Sequence, residues 1–218
     1  MADSLSELSQ LTPGAHPLRR EVVVRHQLER ILTAVVELVA ARGYRNVSVA
    51  AIVKQAGTSR LKFYENFSSK EDCFLAAFDA GIEAASGRVA QACEAAGSEL
   101  PARVGAGIDA LLGFLAERPA LARACALQAP SLGAAMGDRR ARAIASFAPL
   151  LDGARESATV SELPAGVEES VLDGLYWLLY DALLSGSPEP VAELRGALVE
   201  FALLPFLGPA SARQAGAL

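Results

Sequence analysis

Cysteine and histidine are scarce in this sequence. The 218 residues include three cysteines, Cys73, Cys93 and Cys125, and two histidines. The odd number of cysteines and their lack of metal-ligand spacing argue against a disulfide framework and against a zinc site. We therefore expect the three thiols to be buried as small apolar groups, and we expect no bound metal and no cofactor.

Long hydrophobic runs and catalytic motifs are also absent. The hydrophobic fraction of 52% and the mean hydropathy of +0.28 are high, yet charges or glycines interrupt every stretch before the roughly 18 residues of a membrane span. The first ten residues lack the layout of a secretory signal, so we expect a cytoplasmic protein without membrane contact. No glycine-rich phosphate loop or histidine-based nucleophile system is present, so we expect no catalytic residues and no enzyme.

Positive charge is in deficit over the chain but concentrated in one part of it. The net charge is -5, whereas residues 17–72 hold ten basic against six acidic residues. All three lysines, Lys54, Lys62 and Lys70, lie in that segment. The asymmetry indicates one part that meets a polyanion. Charge alone is explained as well by a solvated basic face, so the interpretation depends on the motifs.

Helical periodicity accounts for most of the chain. Apolar residues recur at three- and four-residue steps and no segment shows sustained two-residue alternation, so the sequence predicts an all-α fold. One helix should end at Gly43, and a long one should run from Ser69 to about Ala96. Shorter helices are predicted up to Arg118 and over 121–128 and 134–151, and two amphipathic helices over 167–185 and 188–207.

Two short helices separated by a tight turn lie between the first helix and the long one. Ser48 is a good N-cap for the first of them, and Gly57 is a good stop. Thr58 or Ser59 should cap the second, which should continue through Phe67. An S-x-x-E capping box at Ser68 should then begin the long helix. This arrangement predicts a helix-turn-helix.

The second short helix carries groups that suit base recognition. The major groove of DNA is about 12 Å wide and admits one helix. Phe63 and Phe67 should face inward against Val35, Ile52 and Ala56, so that Arg60, Lys62 and Asn66 point outward. Arginine and lysine pair with guanine, and asparagine with adenine. Glu65 either accepts a hydrogen bond from cytosine or is turned away by phosphate repulsion, and we favour the second.

Residues 42–71 resemble the DNA-binding domain of TetR-type regulators. The resemblance is carried by Arg42-Gly43-Tyr44, Ser48-Val49, Ala56-Gly57-Thr58-Ser59, Phe63-Tyr64-Glu65-Asn66-Phe67 and Ser69-Lys70-Glu71. It implies phosphate contacts for Tyr64 and Lys70 and base reading by the polar residues of the second short helix. The residues expected to bind DNA are Ser48, Thr58, Ser59, Arg60, Lys62, Tyr64, Asn66 and Lys70. Leu28, Leu61 and Glu65 depart from the family pattern.

The motifs divide the chain into three parts. We expect a flexible arm over residues 1–20, a helix-turn-helix DNA-binding domain over 21–68, and a helical ligand-binding and dimerisation domain over 69–218. Because a lone helix-turn-helix binds weakly, two should act together on half-sites about 34 Å apart. The resemblance implies a homodimer through the helices 167–185 and 188–207. Alternatively, these helices only close the chain's own core.

Aromatic residues and one methionine on the later helices suit the lining of an apolar pocket, although most could be plain core. They are Phe78, Phe114, Met136, Phe147, Trp177 and Tyr180. The resemblance implies a repressor that a small, largely apolar molecule releases from a two-fold operator. The alternative is a helical small-molecule or lipid-binding module whose basic N-terminal segment contacts membrane or protein instead of operator DNA. Salt-dependent binding to duplex DNA distinguishes the two.

Overall fold

The described part of the protein is built from helices. The computed structural model describes residues 17–128, 132–160, 162–184 and 194–217, and within these ranges it contains no strand. The α-helices are α1 Pro17–Arg42, α2 Val49–Ala56, α3 Arg60–Tyr64, α4 Lys70–Ala95, α5 Leu100–Glu117, α6 Pro119–Arg123, α7 Ala134–Ala145, α8 Val167–Leu184 and α9 Arg195–Gly216. The predicted all-α class, a small N-terminal helix-turn-helix followed by a larger helical part, is confirmed.

The ends of the described chain bear on two expectations. Residues 1–16 of the predicted arm lie outside the described residues, whereas residues 17–20 belong to α1. Residues 185–193, where the last helix was expected to begin, lie outside them too. None of the helices in the described ranges has the length and apolar character that crossing a bilayer requires.

Serine caps set the starts of the helices in the N-terminal part. The hydroxyls of Ser48 and Ser59 accept hydrogen bonds from the backbone N–H groups of Ala51 and Lys62, each at 3.2 Å. Gly57 ends α2 with φ 59° and ψ 43°, a left-handed conformation that glycine adopts without a steric penalty. The predicted caps of the helix-turn-helix are therefore confirmed.

The start of α4 differs from the prediction by one residue. Its N-cap is Ser69, whose hydroxyl accepts from the N–H of Asp72 at 3.0 Å. The Asp72 carboxylate accepts in turn from the N–H and the hydroxyl of Ser68, at 2.8 and 3.0 Å. The predicted capping box from Ser68 to Glu71 was wrong. Two pairs of a serine and an acid three residues later overlap here, Ser68 with Glu71 and Ser69 with Asp72. The pair with the aspartate forms the cap.

Three other helix ends were misplaced. Helix α3 ends at Tyr64, although Phe67 N–H still donates to the Phe63 carbonyl at 2.9 Å. Helix α7 ends at Ala145, and a separate 3-10 turn follows over Ala148–Leu151, where Pro149 lacks the N–H that a continuing helix would need. Helix α9 continues past residue 207, with a break at Gly208 (φ 75°, ψ 170°) ahead of Pro209. The predicted helix over 121–128 is α6 followed by a π-helical turn, Ala124–Gln128.

Two large apolar clusters organise the packing, and a small third one contains Phe78 and Met136. The first, which we call the N-terminal cluster, joins α1, α2, α3 and the start of α4 through fully buried Ile31, Val35, Ile52, Phe63 and Phe74. The second joins the end of α4 with α5, α8 and α9. Helix α4 belongs to both clusters, so it is a rigid connection between the two parts of the molecule.

The cysteines are packed inside, as expected. Cys73 and Cys93 are buried, and Cys125 is half-buried. Burial raises the pKa of the Cys73 thiol to about 12, with the Asp72 charge acting in the same direction, and burial alone raises the pKa of Cys125 to about 12. These thiols are therefore protonated at neutral pH.

Candidate functional site

Two phenylalanines anchor helix α3 from behind. Phe63 is completely buried and Phe67 is 6% exposed, and both belong to the cluster that contains Val35, Ile52 and Ala56. Their ring centroids lie 5.6 Å apart. A five-residue helix is too short to be stable alone, so this packing holds it in place. The predicted inward orientation of the two rings is confirmed.

The opposite face of α3 is exposed. Arg60, Lys62 and Asn66 are all exposed, as predicted. Leu61 is 71% exposed and Tyr64 is 52% exposed, so two large apolar surfaces lie among the polar ones. Such side chains are usually buried in a free protein, and on this face they suit contact with sugar and thymine methyl groups.

Internal contacts occupy two of the three predicted base readers. Lys62 Nζ lies 2.7 Å from Glu65 Oε2, and Asn66 Nδ2 donates to the Lys62 carbonyl at 2.8 Å. Arg60 has no side-chain hydrogen bond or ion pair in the described ranges. Glu65 thus neutralises a neighbouring cation, an arrangement that neither of the two sequence interpretations of this residue included.

The remaining predicted contacts lie at the edges of the helix-turn-helix. Ser48 and Ser59 are exposed caps, and the Thr58 hydroxyl, which is half-buried, accepts from Gln27 Nε2 of α1 at 2.7 Å. Lys70 Nζ donates to the Tyr44 carbonyl at 2.9 Å and lies 4.1 Å from the centre of the Tyr44 ring. Lys70 therefore ties α4 to the 3-10 turn Tyr44–Asn46, which follows α1. An ammonium group with three donors keeps capacity for a phosphate.

A cavity of about 500 Å³ lies among the helices behind this domain. Its wall comes from α4, α5, α6, the π-helical turn, α7, α8 and one residue of α9. The structure brings to this wall all six residues that the sequence offered as ligand contacts: Phe78, Phe114, Met136, Phe147, Trp177 and Tyr180. The volume is typical of small-molecule pockets, which span roughly 300–1,000 Å³.

The chemistry of the cavity is apolar except at one edge. Phe78, Phe114 and Met136 are buried in the wall, whereas Trp177 is 54% exposed. Among the described residues that line it, the exposed Arg140 is the one charged residue, and none is acidic. Its guanidinium carbon lies 5.5 Å from the centre of the Tyr176 ring and 5.9 Å from that of Trp177. Burial raises the pKa of Tyr176, so its hydroxyl stays protonated.

One side chain joins the cavity to the N-terminal cluster. Leu121 of α6 lines the cavity and also packs against that cluster. Ala124, at the start of the π-helical turn, is completely buried in the cluster, and the next residue, Cys125, lines the cavity. The wall of the cavity and the core of the helix-turn-helix domain are therefore in direct contact.

The helix-turn-helix and its flanking helices match a known family. Residues 31–77 fit the family model of bacterial regulatory proteins of the tetR family. The match begins within α1, spans α2 and α3 and ends in α4, the same elements that form the geometry above. Residues 31–77 therefore form a TetR-type N-terminal domain.

Solved TetR-type structures share the architecture of most of the chain. A TetR family transcription regulator from Marinobacter aquaeolei VT8 is 23% identical, with a TM-score of 0.65 over 89% of this chain and 97% of that one. The transcriptional regulator FadR of Bacillus subtilis, solved in complex with stearoyl-CoA, is 17% identical, with a TM-score of 0.67 over 83% and 98%. A gamma-butyrolactone receptor described as ArpA-like gives 19% identity and 0.57 over 90% and 96%. No curated protein gives a match.

The TetR-type domain contains one structural residue that the sequence interpretation missed. Arg30 of α1 donates to the carbonyl of Ala56, and its Nη2 lies 3.1 Å from the carbonyl oxygen of Gly57. The last carbonyls of a helix have no partner within the helix, so α1 here supplies the donors that α2 lacks. Arg140 was missed as well, because its position at the cavity edge depends on contacts between α7 and α8.

Proposed function

We propose that the protein is a sequence-specific DNA-binding transcriptional regulator, a repressor that a small molecule releases from a two-fold operator. The observation that carries the proposal is helix α3, which Phe63 and Phe67 fix from behind while Arg60, Leu61 and Tyr64 face outward. A short, anchored helix with an exposed mixed face has the shape and chemistry for the major groove. The TetR-type domain supports this assignment.

We propose two kinds of contact for the eight residues that the sequence analysis expected to bind DNA. Arg60, Lys62 and Asn66 read bases, once DNA competes for the partners that Lys62 and Asn66 now have. The others contact phosphates and set the register of the domain on the duplex: Ser48, Thr58, Ser59, Tyr64 and Lys70. The N-terminal ends of α2 and α3 add backbone N–H groups that attract phosphate oxygens.

We further propose that α8 and α9 form the interface of a homodimer. Their inner faces close the chain's own core, for example through Val171, Leu175 and Leu198. The outer face of α9 still exposes Phe201 at 37% and Leu204 at 42%. The inner faces thus pack within the chain's own core, and we propose that the outer face pairs across a two-fold axis.

The ligand signal travels through α4 and α6 in this proposal. A molecule in the cavity contacts Phe78 on α4 and Leu121 on α6, and both helices pack against the TetR-type domain. Because the ligand binds one arrangement of these helices better than another, it shifts the population between them. One neighbour was solved in complex with stearoyl-CoA and another is a gamma-butyrolactone receptor. For this chain, the apolar wall of the cavity favours a small and largely apolar effector.

Selection from random duplexes tests the function. The full-length protein should enrich a two-fold sequence, and its affinity should fall with salt more steeply for DNA than for any neutral partner. Arg60→Ala should lower affinity for the enriched site by about 1–3 kcal/mol with little effect on random DNA. Arg123→Ala is the control, because Arg123 is an exposed arginine outside the helix-turn-helix. Uniform weak binding without enrichment would contradict the proposal and favour the small-molecule or lipid-binding module.

A further inference from the structure

The cavity holds one charged group, and we propose that this group selects the ligand. The structure assigns an amphipathic carboxylate to the site, with its hydrocarbon body among the apolar side chains and its carboxylate on the guanidinium of Arg140. The inference rests on the proposed function only in placing the effector in this cavity. Binding itself requires no DNA, so the two can fail separately.

The first argument is the unpaired state of Arg140. Its neighbour Arg139 forms an ion pair with Asp79 of α4. Arg140 has no carboxylate partner in the ranges that the structure covers, and its recorded contacts are with the rings of Tyr176 and Trp177. A ring attracts the charge of the cation but takes none of its five N–H donors. Those donors remain available, and their planar fork matches the two oxygens of a carboxylate.

The second argument is what surrounds the guanidinium. No aspartate or glutamate is among the described residues that line the cavity, so a cationic head group there would meet a like charge and no counterion from them. A neutral head group would leave the arginine without a charged partner. An anion pairs charge with charge and can accept two parallel hydrogen bonds from the guanidinium, whereas a neutral acceptor gains only the contribution of the arginine charge.

The third argument concerns the rest of the ligand. Beyond the edge at Arg140, the wall consists of side chains such as Phe78, Phe114 and Met136, which are buried and offer no hydrogen bond. A polar body would lose its hydration there without compensation. A hydrocarbon body gains with each methylene, by roughly fourfold in affinity, until the cavity is filled.

The single tryptophan makes the experiment direct. Trp177 is the one tryptophan of the sequence and borders the cavity beside Arg140. The full-length protein is titrated at neutral pH, without DNA, with decanoate and decyltrimethylammonium below their micelle-forming concentrations and with decanol below its solubility limit. Tryptophan emission and calorimetry report binding. Decanoate should bind about tenfold more tightly than decanol, and the cation should bind most weakly.

Two variants and a control locate the preference. Arg140→Gln should bring decanoate and decanol to equal affinity, whereas Arg140→Lys should keep only part of the preference, because lysine keeps the charge but lacks the planar fork. Arg142→Gln removes the same charge from the same helix at an exposed residue outside the cavity wall, and it should leave the preference unchanged.

Each outcome decides the inference. The inference is overturned if decanoate and decanol bind the native protein with equal affinity, or if the preference for decanoate survives Arg140→Gln. The comparison in the native protein remains valid even if the variant does not fold. Carboxylate-selective binding that never alters DNA affinity supports the inference and counts against the proposed regulator. Release of operator DNA by decanol and decanoate alike supports the regulator and overturns the inference.

Discussion

Single side chains decide how much of the surface of α3 is available to DNA. Lys62 forms an ion pair with Glu65 three residues later, and Asn66 bonds to a carbonyl of its own helix. The carboxylate of Glu65 lies next to the expected path of the DNA phosphates, which carry the same negative charge. The free protein is therefore less positive on this face than its residue types indicate.

Replacing this acid should strengthen DNA binding. We expect Glu65→Gln to raise affinity for random duplex DNA by roughly threefold to tenfold at low salt, because Lys62 is freed and a repulsion is removed. Anisotropy titrations at several salt concentrations measure the change. Glu94→Gln, an equal charge change at an exposed site near the end of α4, should have little effect. An unchanged affinity in the Glu65 variant would show that this carboxylate lies away from the phosphates.

Residues whose roles depend on near neighbours in the sequence were predictable, whereas residues whose roles depend on contacts far along the chain were missed. Phe63 and Phe67 were predicted to face inward because their spacing of four residues is a local signal. The roles of Ser48, Ser59 and Gly57 as caps are local as well. Arg30 donates hydrogen bonds to carbonyls 26 and 27 residues away, and the sequence around Arg30 contains no pattern that predicts this contact. Arg140 depends on the packing of α7 on α8 in the same way.

Among the elements, existence was easier to predict than boundaries. All helices of the N-terminal part follow from periodicity and caps, yet α3 is three residues shorter than predicted and the N-cap of α4 is Ser69 instead of Ser68. Where the sequence offers two capping serines in succession, backbone geometry chooses between them. The break at Gly208 and the 3-10 turn at Pro149 are similar cases, in which a helix-breaking residue interrupts an apolar pattern that itself continues.

The corrected boundary of α4 predicts unequal effects at two adjacent serines. Ser69→Ala should lower the free energy of unfolding by about 1 kcal/mol, because it removes the oxygen that accepts from the Asp72 N–H. Ser68→Ala should cost clearly less, since the backbone N–H of Ser68 still donates to the Asp72 carboxylate. Urea denaturation followed by circular dichroism measures both. The reverse order would restore the capping box that begins at Ser68.

In the molecule as a whole, residues from beyond the domain boundary expected near residue 69 contribute to the N-terminal cluster. Ala124 and Leu121 lie far along the chain from α1 but pack against the N-terminal cluster. The fold class and the six aromatic and methionine positions of the cavity were predictable, because apolar spacing places them on inner faces. The contact between α6 and α1 was not, since it is fixed only when all helices have packed.

The exposed outer face of α9 allows a test of assembly. Leu204→Glu should convert the proposed dimer to a monomer and weaken binding to a two-fold duplex, because a charge in an apolar interface loses its hydration. Light scattering after gel filtration measures the mass, and circular dichroism should show unchanged helicity. Val160→Glu, at a similarly exposed residue in a loop, is the control. A dimer that persists in the Leu204 variant would move the interface elsewhere.

The π-helical turn at Ala124–Gln128 gives one short stretch two roles. Ala124 fills a place inside the N-terminal cluster, while the next two residues, Cys125 and Ala126, line the cavity. A π-helical turn is wider than an α-helical one, and tightening it by one residue would rotate the following chain by about 100° around the helix axis. A molecule that favours the tighter winding would therefore rotate the cavity wall and displace Ala124 within the N-terminal cluster at the same time.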